Sequence, residues 1–245
     1  MKDDGHHIHI GTSGWNYAGW KGIIYPDGLS EKAWLSYYAQ HFHTVEINST
    51  FYHLPRETSV ETWKKTVPST FLFAVKGSRY ITHVKRLLEP KKTTPAFFDL
   101  IRPLGKKLGP ILFQLPPSLG RDINRITTFL TAIPKPLRKR LVIEFRHGGW
   151  YTEEVKMMLS EHGVTLCIHD LYKHPSPEWV TNNRVYIRFH GTTGAYKGNY
   201  TNDLLRPWAE KIRAWSADGK EVFAYFNNDI GGHAFRNAVT LRELL

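Results

Sequence analysis

The sequence predicts a (β/α)8 barrel, read here as a single TIM-barrel domain over residues 1–245, and three observations carry that reading. Short β-rich runs recur eight times, about 30 residues apart, as strand–helix units of a barrel do. Helical stretches with start and stop signals lie between them. No low-complexity linker divides the chain. The rival arrangement is a doubly wound open sheet, which usually carries a Gly-rich turn leading from the first strand straight into a helix. Here "GTSGWNYAGWKG" supplies the glycines but does not open a helix.

The first run is "HIHIGT" (His7–Thr12), which reads smoothly out of a histidine-rich start, so His9 is taken as native strand. Ser30 can cap "EKAWLSYYAQHF" before the second strand, "TVEIN" (Thr44–Asn48). The third strand, "FLFAVK" (Phe71–Lys76), runs into "GSRYITHVKRLLEPKKTTP", a long basic loop that reads as a lid. Thr94 and Pro95 open "AFFDLIRPLGKKLG", which Pro103 must kink. The fourth and fifth strands are "PILFQL" (Pro110–Leu115) and "LVIEFR" (Leu141–Arg146). Thr152 caps "EEVKMMLSEHG", and Gly163 ends it. The sixth and seventh strands are "TLCIH" (Thr165–His169) and "VYIRFH" (Val185–His190). Asn202 or Asp203 opens "LLRPWAEKIRAWSADG", which Gly219 ends, and the eighth strand is "VFAYFN" (Val222–Asn227). The segment after it brings Gly231 and Gly232 to the start of a last helix, where free N–H groups suit a phosphate.

The 245 residues are 41% hydrophobic, enough for a substantial core. A net charge of +11 favours anionic partners, whether small molecules or nucleic acid. One cysteine, Cys167, excludes an internal disulfide and fits a cytoplasmic location. The opening "MKDDGHHIHIG" is too polar for a signal peptide, and no stretch approaches the roughly 20 apolar residues of a membrane span.

Side chains alternate along a strand, so each run has two faces. One face is apolar throughout, for example Val45 and Ile47, Phe73 and Val75, and Ile187 and Phe189, and belongs against the helices. The other carries His9, Glu46, Asn48, Lys76, Gln114, Glu144, Arg146, His169, Arg188, His190, Tyr225 and Asn227, and belongs toward the barrel axis. These polar groups gather at the C-terminal strand ends, where barrel enzymes build their sites. Burying ions costs several kcal/mol each, and a barrel that needed only packing would carry Val, Ile and Leu there. The ring therefore reads as a site.

The stretches "GTSGW", "VEINSTFY", "SRYITH", "QLPPS", "EFRHGGWY", "RFHG" and "YFNND..GHA..NA..L" resemble, in order, the motifs of the YecE-like family, the domain of unknown function seventy-two. The resemblance runs from Gly11 to Leu241 and implies a TIM-like barrel. It implies little about activity. The family's shared polar positions fall on Glu46, Asn48, Lys76, Gln114, Glu144, Arg146, Arg188, His190 and Asn227, with Asp170 also matching.

Glu46 and Glu144, on the second and fifth strands, read as an acid–base pair flanking a substrate, with unlike surroundings separating their roles. Lys76 completes the catalytic set, holding an anion or, with a lowered pKa, acting as a nucleophile. Asn48, Tyr52, Gln114, Arg146, Trp150, Arg188, His190, Tyr196, Tyr225, Asn227 and Gly232 are the expected substrate contacts, the aromatics among them suiting rings and bases. His169, Asp170, His190, Glu144 and Glu46 are also competent metal ligands. No tight spacing such as HExxH occurs, and lysine and arginine in the ring oppose a cation, so no cofactor is expected and a divalent metal is the lesser reading. Cys167, deep in its strand, reads as a core residue. The expected function is hydrolysis of a phosphate-bearing substrate, a nucleotide or nucleic acid, through Glu46 and Glu144. The alternatives are a metal-free hydrolase, lyase or isomerase of a sugar, and a non-catalytic nucleotide or nucleic-acid binder.

Overall fold

Each of the eight β-rich runs forms a strand, and all pair in parallel in the computed structural model, which describes residues 7–171, 173–194 and 196–245. The chain runs β1 (Ile8–Thr12), α1 (Trp34–Tyr38), β2 (Thr44–Ile47), α2 (Ser49–Tyr52), α3 (Glu57–Thr66) and β3 (Leu72–Lys76). It continues α4 (Pro90–Thr93), α5 (Pro95–Ile101), β4 (Leu108–Gln114), α6 (Ile123–Ala132), α7 (Lys135–Arg138), β5 (Leu141–Glu144) and α8 (Glu153–Glu161). The last elements are β6 (Thr165–His169), β7 (Arg184–Phe189), α9 (Asn202–Ala217), β8 (Glu221–Phe226) and α10 (His233–Glu243). The strand order is β1-β8-β7-β6-β5-β4-β3-β2, which brings β1 round to β2 in a nearly closed barrel with flanking helices.

The β1–β2 seam is held differently from the rest. Ser13 and Glu46 form a parallel bridge there. Below it the Tyr38 hydroxyl accepts from the Thr12 N–H at 3.0 Å and donates to the Thr44 carbonyl at 3.1 Å, linking the two strands beyond that single bridge. Gly11 makes this approach possible, because a Cβ there would stand 2.4 Å from the Thr44 carbonyl oxygen.

The alternation read from the sequence holds. Val45, Ile47, Phe73, Val75, Ile111, Phe113, Ile187 and Phe189 are buried in the large core between strands and helices. The opposite face forms a separate inner layer of Ala74, Leu112, Val142, Cys167, Tyr186, Phe223 and Tyr225. Both faces being covered explains why the runs are so apolar. His9 lies at the lower end of the axis, stacked on Phe223 with ring centroids 4.4 Å apart.

Some helix signals act as expected. Thr152 accepts from the Val155 N–H and opens α8, and Gly163 and Gly219 follow α8 and α9 with φ of 65° and 75°. Others do not. Ser30 makes no side-chain cap, and the Thr94 hydroxyl donates back to the Pro90 carbonyl instead of capping α5. The helix expected after Pro95 stops at Ile101 and becomes a 3-10 stretch over Arg102–Lys107, since Pro103 has no N–H to give and Gly105 takes φ 57°. Among the described residues no helix is long and apolar enough to cross a membrane.

Candidate active site

Arg188 is the third inward-facing position of β7, and its whole side chain is buried. One terminal nitrogen donates to Glu46 Oε1 on β2 and the other to Glu144 Oε2 on β5, each at 2.7 Å. The two carboxylates thus clasp a guanidinium across the axis rather than flanking an open space. Glu46 also accepts from the Ser13 hydroxyl and from the Tyr186 hydroxyl, both at 2.6 Å. Glu144 is also paired with Arg146, and its Oε1 lies 3.3 Å from His190 Nε2. Both carboxylates are wholly buried with both oxygens engaged. Dense hydrogen bonding of this kind is what offsets the desolvation of a buried ion cluster.

The electrostatics follow from that packing. Burial alone would push the Glu144 carboxyl up, but the guanidiniums of Arg146 and Arg188 outweigh it and hold it well below the usual carboxylate range. Burial likewise opposes the charge on Arg188, and Glu46 and Glu144 more than restore it. Burial, with Arg188 adding to it, pushes His190 well below its ordinary value, so its ring is neutral. Its Nε2 faces both an acceptor, Glu144 Oε1 at 3.3 Å, and a donor, Arg146 Nη2 at 3.1 Å, and its Nδ1 lies 3.3 Å from Asn227 Nδ2.

Lys76 ends β3 at the same level and is not part of this network. Its ammonium lies 4.3 Å from the centre of the Phe51 ring and makes no ion pair among the described residues. Arg146 and Arg188 already balance Glu46 and Glu144, which leaves Lys76 as the surplus cation. Burial first, and Arg188 second, bring its pKa down to about 7. His83 reports the same positive field. Burial, then Arg79 and Lys76, push it down to about 4.

A cavity of about 820 Å³ opens onto Lys76. Asn48, Asn227, Tyr52 and Tyr196 line it, as the sequence led one to expect. So do Trp15 and Tyr17, two of the aromatics that crowd this end in the sequence, and Trp63 and Asp229, which were not assigned to the site. Asn48 Nδ2 donates to the Ser13 carbonyl at 3.3 Å, and its Oδ1 is buried with no protein partner. Burial raises the Asp229 carboxyl above its ordinary value. Gln114 stands beside Glu144 in the β4–β5 register.

Gln114, Arg146, Arg188 and His190 do not line this cavity, Arg146 bordering a separate one with Phe145 and Tyr151, and three further expected contacts lie elsewhere. Trp150 is packed on Phe145 at 4.6 Å and donates its indole N–H to the Leu119 carbonyl, so it belongs to the core outside the barrel. Tyr225 sits in the inner apolar layer, its hydroxyl 2.6 Å from that of Thr44. Gly232 caps α10 with φ 74°, but its N–H is spent on the Asp229 carbonyl and the Ala234 N–H on Asn228, so that turn is not an open phosphate cradle. The basic loop after β3 is folded as a π-turn over Tyr80–Val84 and as α4, with Lys85 and Lys92 paired to Glu89.

The metal reading loses its ligands to internal bonds. His169 Nε2 donates to the Phe145 carbonyl at 3.0 Å, and Asp170 accepts from the His190 N–H at 2.7 Å and from the Tyr200 hydroxyl. Among the described residues no three His, Cys, Asp or Glu side chains are grouped to hold an ion.

Comparison with known proteins places this geometry. The family model "Protein of unknown function DUF72" matches residues 9–245. The chain belongs to the DUF72 family. The DUF72 protein of Thermotoga maritima has a solved structure that superposes with a TM-score of 0.88 at 30% identity, covering 98% of this chain and 99% of that one. The DUF72 protein of Enterococcus faecalis does so with 0.80 at 25% identity, over 97% and 95%. Among curated sequences, YunF of Bacillus subtilis is 26% identical over 97% of this chain and 94% of its own, and YecE of Escherichia coli K12 is 25% identical over 85% and 82%. SacUVDE, at 13% identity and a TM-score of 0.61, shares the fold with this DUF72 barrel.

Proposed function

We propose that the protein is an enzyme acting on a phosphate-bearing small molecule in the barrel mouth, with Lys76 as its proton-transferring group. The observation that carries this reading is Lys76 itself, a nearly buried lysine that faces a cavity and makes no ion pair among the described residues, its pKa brought down to about 7 by burial and Arg188. A group poised near the working pH serves both halves of acid–base catalysis. With the phosphate bound, Lys76 is protonated and gives its proton to the leaving oxygen as water attacks phosphorus and the P–O ester bond breaks, then recovers a proton from the dihydrogen phosphate formed. Glu46 and Glu144 take a different role from the acid–base pair read in the sequence. Sealed from solvent and saturated with donors, they hold Arg188 and Arg146 in place and keep the mouth charged. The net charge of +11 draws anionic substrates toward it.

The test is phosphate release from a panel of phosphomonoesters by the wild type, Lys76→Met and Glu144→Gln. Turnover of at least one ester, reduced about 100-fold or more in Lys76→Met with an unchanged circular dichroism spectrum, is expected. No turnover on any ester, or undiminished turnover in Lys76→Met, contradicts the reading.

A further inference from the structure

The cavity is far larger than a phosphate needs. It reaches from Lys76 at the barrel axis outward to α3 in the helix ring, where Trp63, Thr62 and Thr66 line it. Trp15, in the loop after β1, meets Trp63 edge to face with ring centroids 5.6 Å apart, and Leu35 closes the wall behind them. Asn48 lines the same cavity. Its Nδ2 is fixed on the Ser13 carbonyl, which can only accept, so its Oδ1 is left as a buried acceptor with no protein donor. A buried acceptor without a partner is costly and marks a position where a ligand hydroxyl or N–H completes the bond.

We infer that the Trp15–Trp63 lobe is a base-binding subsite and that the substrate is a nucleoside monophosphate. The inference rests on the phosphate reading of Lys76 given above and adds the rest of the molecule to it. The phosphate lies at Lys76, a ribose hydroxyl donates to Asn48 Oδ1, and the base packs against the two indoles. An 820 Å³ cavity is within the range that encloses a ligand of that size. Indole faces suit a planar base of any sequence. The Thr62 and Thr66 hydroxyls donate to the Thr58 and Thr62 carbonyls, which leaves their lone pairs to accept from a base edge.

The experiment is calorimetric binding of hydrolysis-resistant phosphonate analogues of adenosine monophosphate and of ribose 5-phosphate, with inorganic phosphate as a third ligand. The proteins are the wild type, Trp63→Ala, Lys76→Met and Thr62→Trp, the last placing bulk in the lobe from an exposed helix position. The wild type is expected to bind the nucleotide analogue at least tenfold more tightly than the ribose analogue. Trp63→Ala and Thr62→Trp are expected to erase that difference while leaving the ribose analogue unchanged, and Lys76→Met to weaken both ligands alike. Equal affinity for the two analogues in the wild type overturns the base subsite and leaves the phosphate reading standing. Equal weakening of both by Thr62→Trp, with the fold intact, also overturns it. Failure of all three ligands to bind overturns the phosphate reading as well.

Discussion

Arg188 and Glu144 are joined at 2.7 Å inside the barrel with neither side chain exposed, and the same guanidinium reaches Glu46 at an equal distance on the opposite wall. That relationship converts what the sequence presents as two free carboxylates into one clamp. It ties β2, β5 and β7 together above the inner apolar layer.

Breaking the clamp from one side strands a buried charge. Arg188→Met is expected to destabilise the protein by about 3–5 kcal/mol, because Glu46 and Glu144 lose their common partner. The double variant Glu46→Gln, Arg188→Met removes one charge of each sign, leaves Glu144 paired with Arg146, and is expected to recover a large part of that loss. Urea denaturation of both variants measures the difference. A double variant less stable than Arg188→Met contradicts the clamp.

Lys76 makes stability depend on pH. Its folded pKa, about 7, lies below the ordinary value of 10.5, so between those values the unfolded chain binds the extra proton. Stability therefore rises as pH rises from about 7 toward 10. Lys76→Met is expected to flatten that slope and to be more stable than the wild type at pH 7. Urea midpoints at pH 7 and pH 9.5 give the comparison.

An anion next to Lys76 favours its charged form, so phosphate binding above pH 7 takes up a proton. Calorimetry in buffers of different ionisation enthalpy is expected to show uptake approaching one proton at pH 8.5. Affinity is expected to fall as pH rises beyond 7. In Lys76→Met the uptake disappears.

Cys167 is wholly buried in the inner layer, and burial raises its thiol well above the ordinary value. It is expected to resist a colourimetric thiol reagent in native buffer and to react stoichiometrically in urea.

The fold and much of the mouth were legible because both depend on the two-residue period of strands. Glu46, Lys76, Glu144, Arg188 and His190 all fall on the face the alternation assigns to the axis. The period does not say how high along the axis a side chain sits, which is why Tyr225, one pleat below Asn227, was read as a contact although it is buried in the inner layer. Nor does it say which charges pair. Arg188 reaches both walls because a guanidinium forks, and nothing in the spacing of Glu46 and Glu144 distinguishes a substrate gap from a bridging arginine. Trp63 was missed because α3 is mostly polar and was not recognised as a helix facing the mouth. Trp150 was misplaced because strand parity is silent about the loop after β5, where it folds back onto Phe145.

Lysine side-chain NMR of the wild type, with the Lys76 resonance assigned by its loss in Lys76→Met, measures the group on which the functional account stands. A titration midpoint near 7 that moves upward when inorganic phosphate is added is the expected result. A midpoint near the ordinary 10.5 that phosphate does not move contradicts the account.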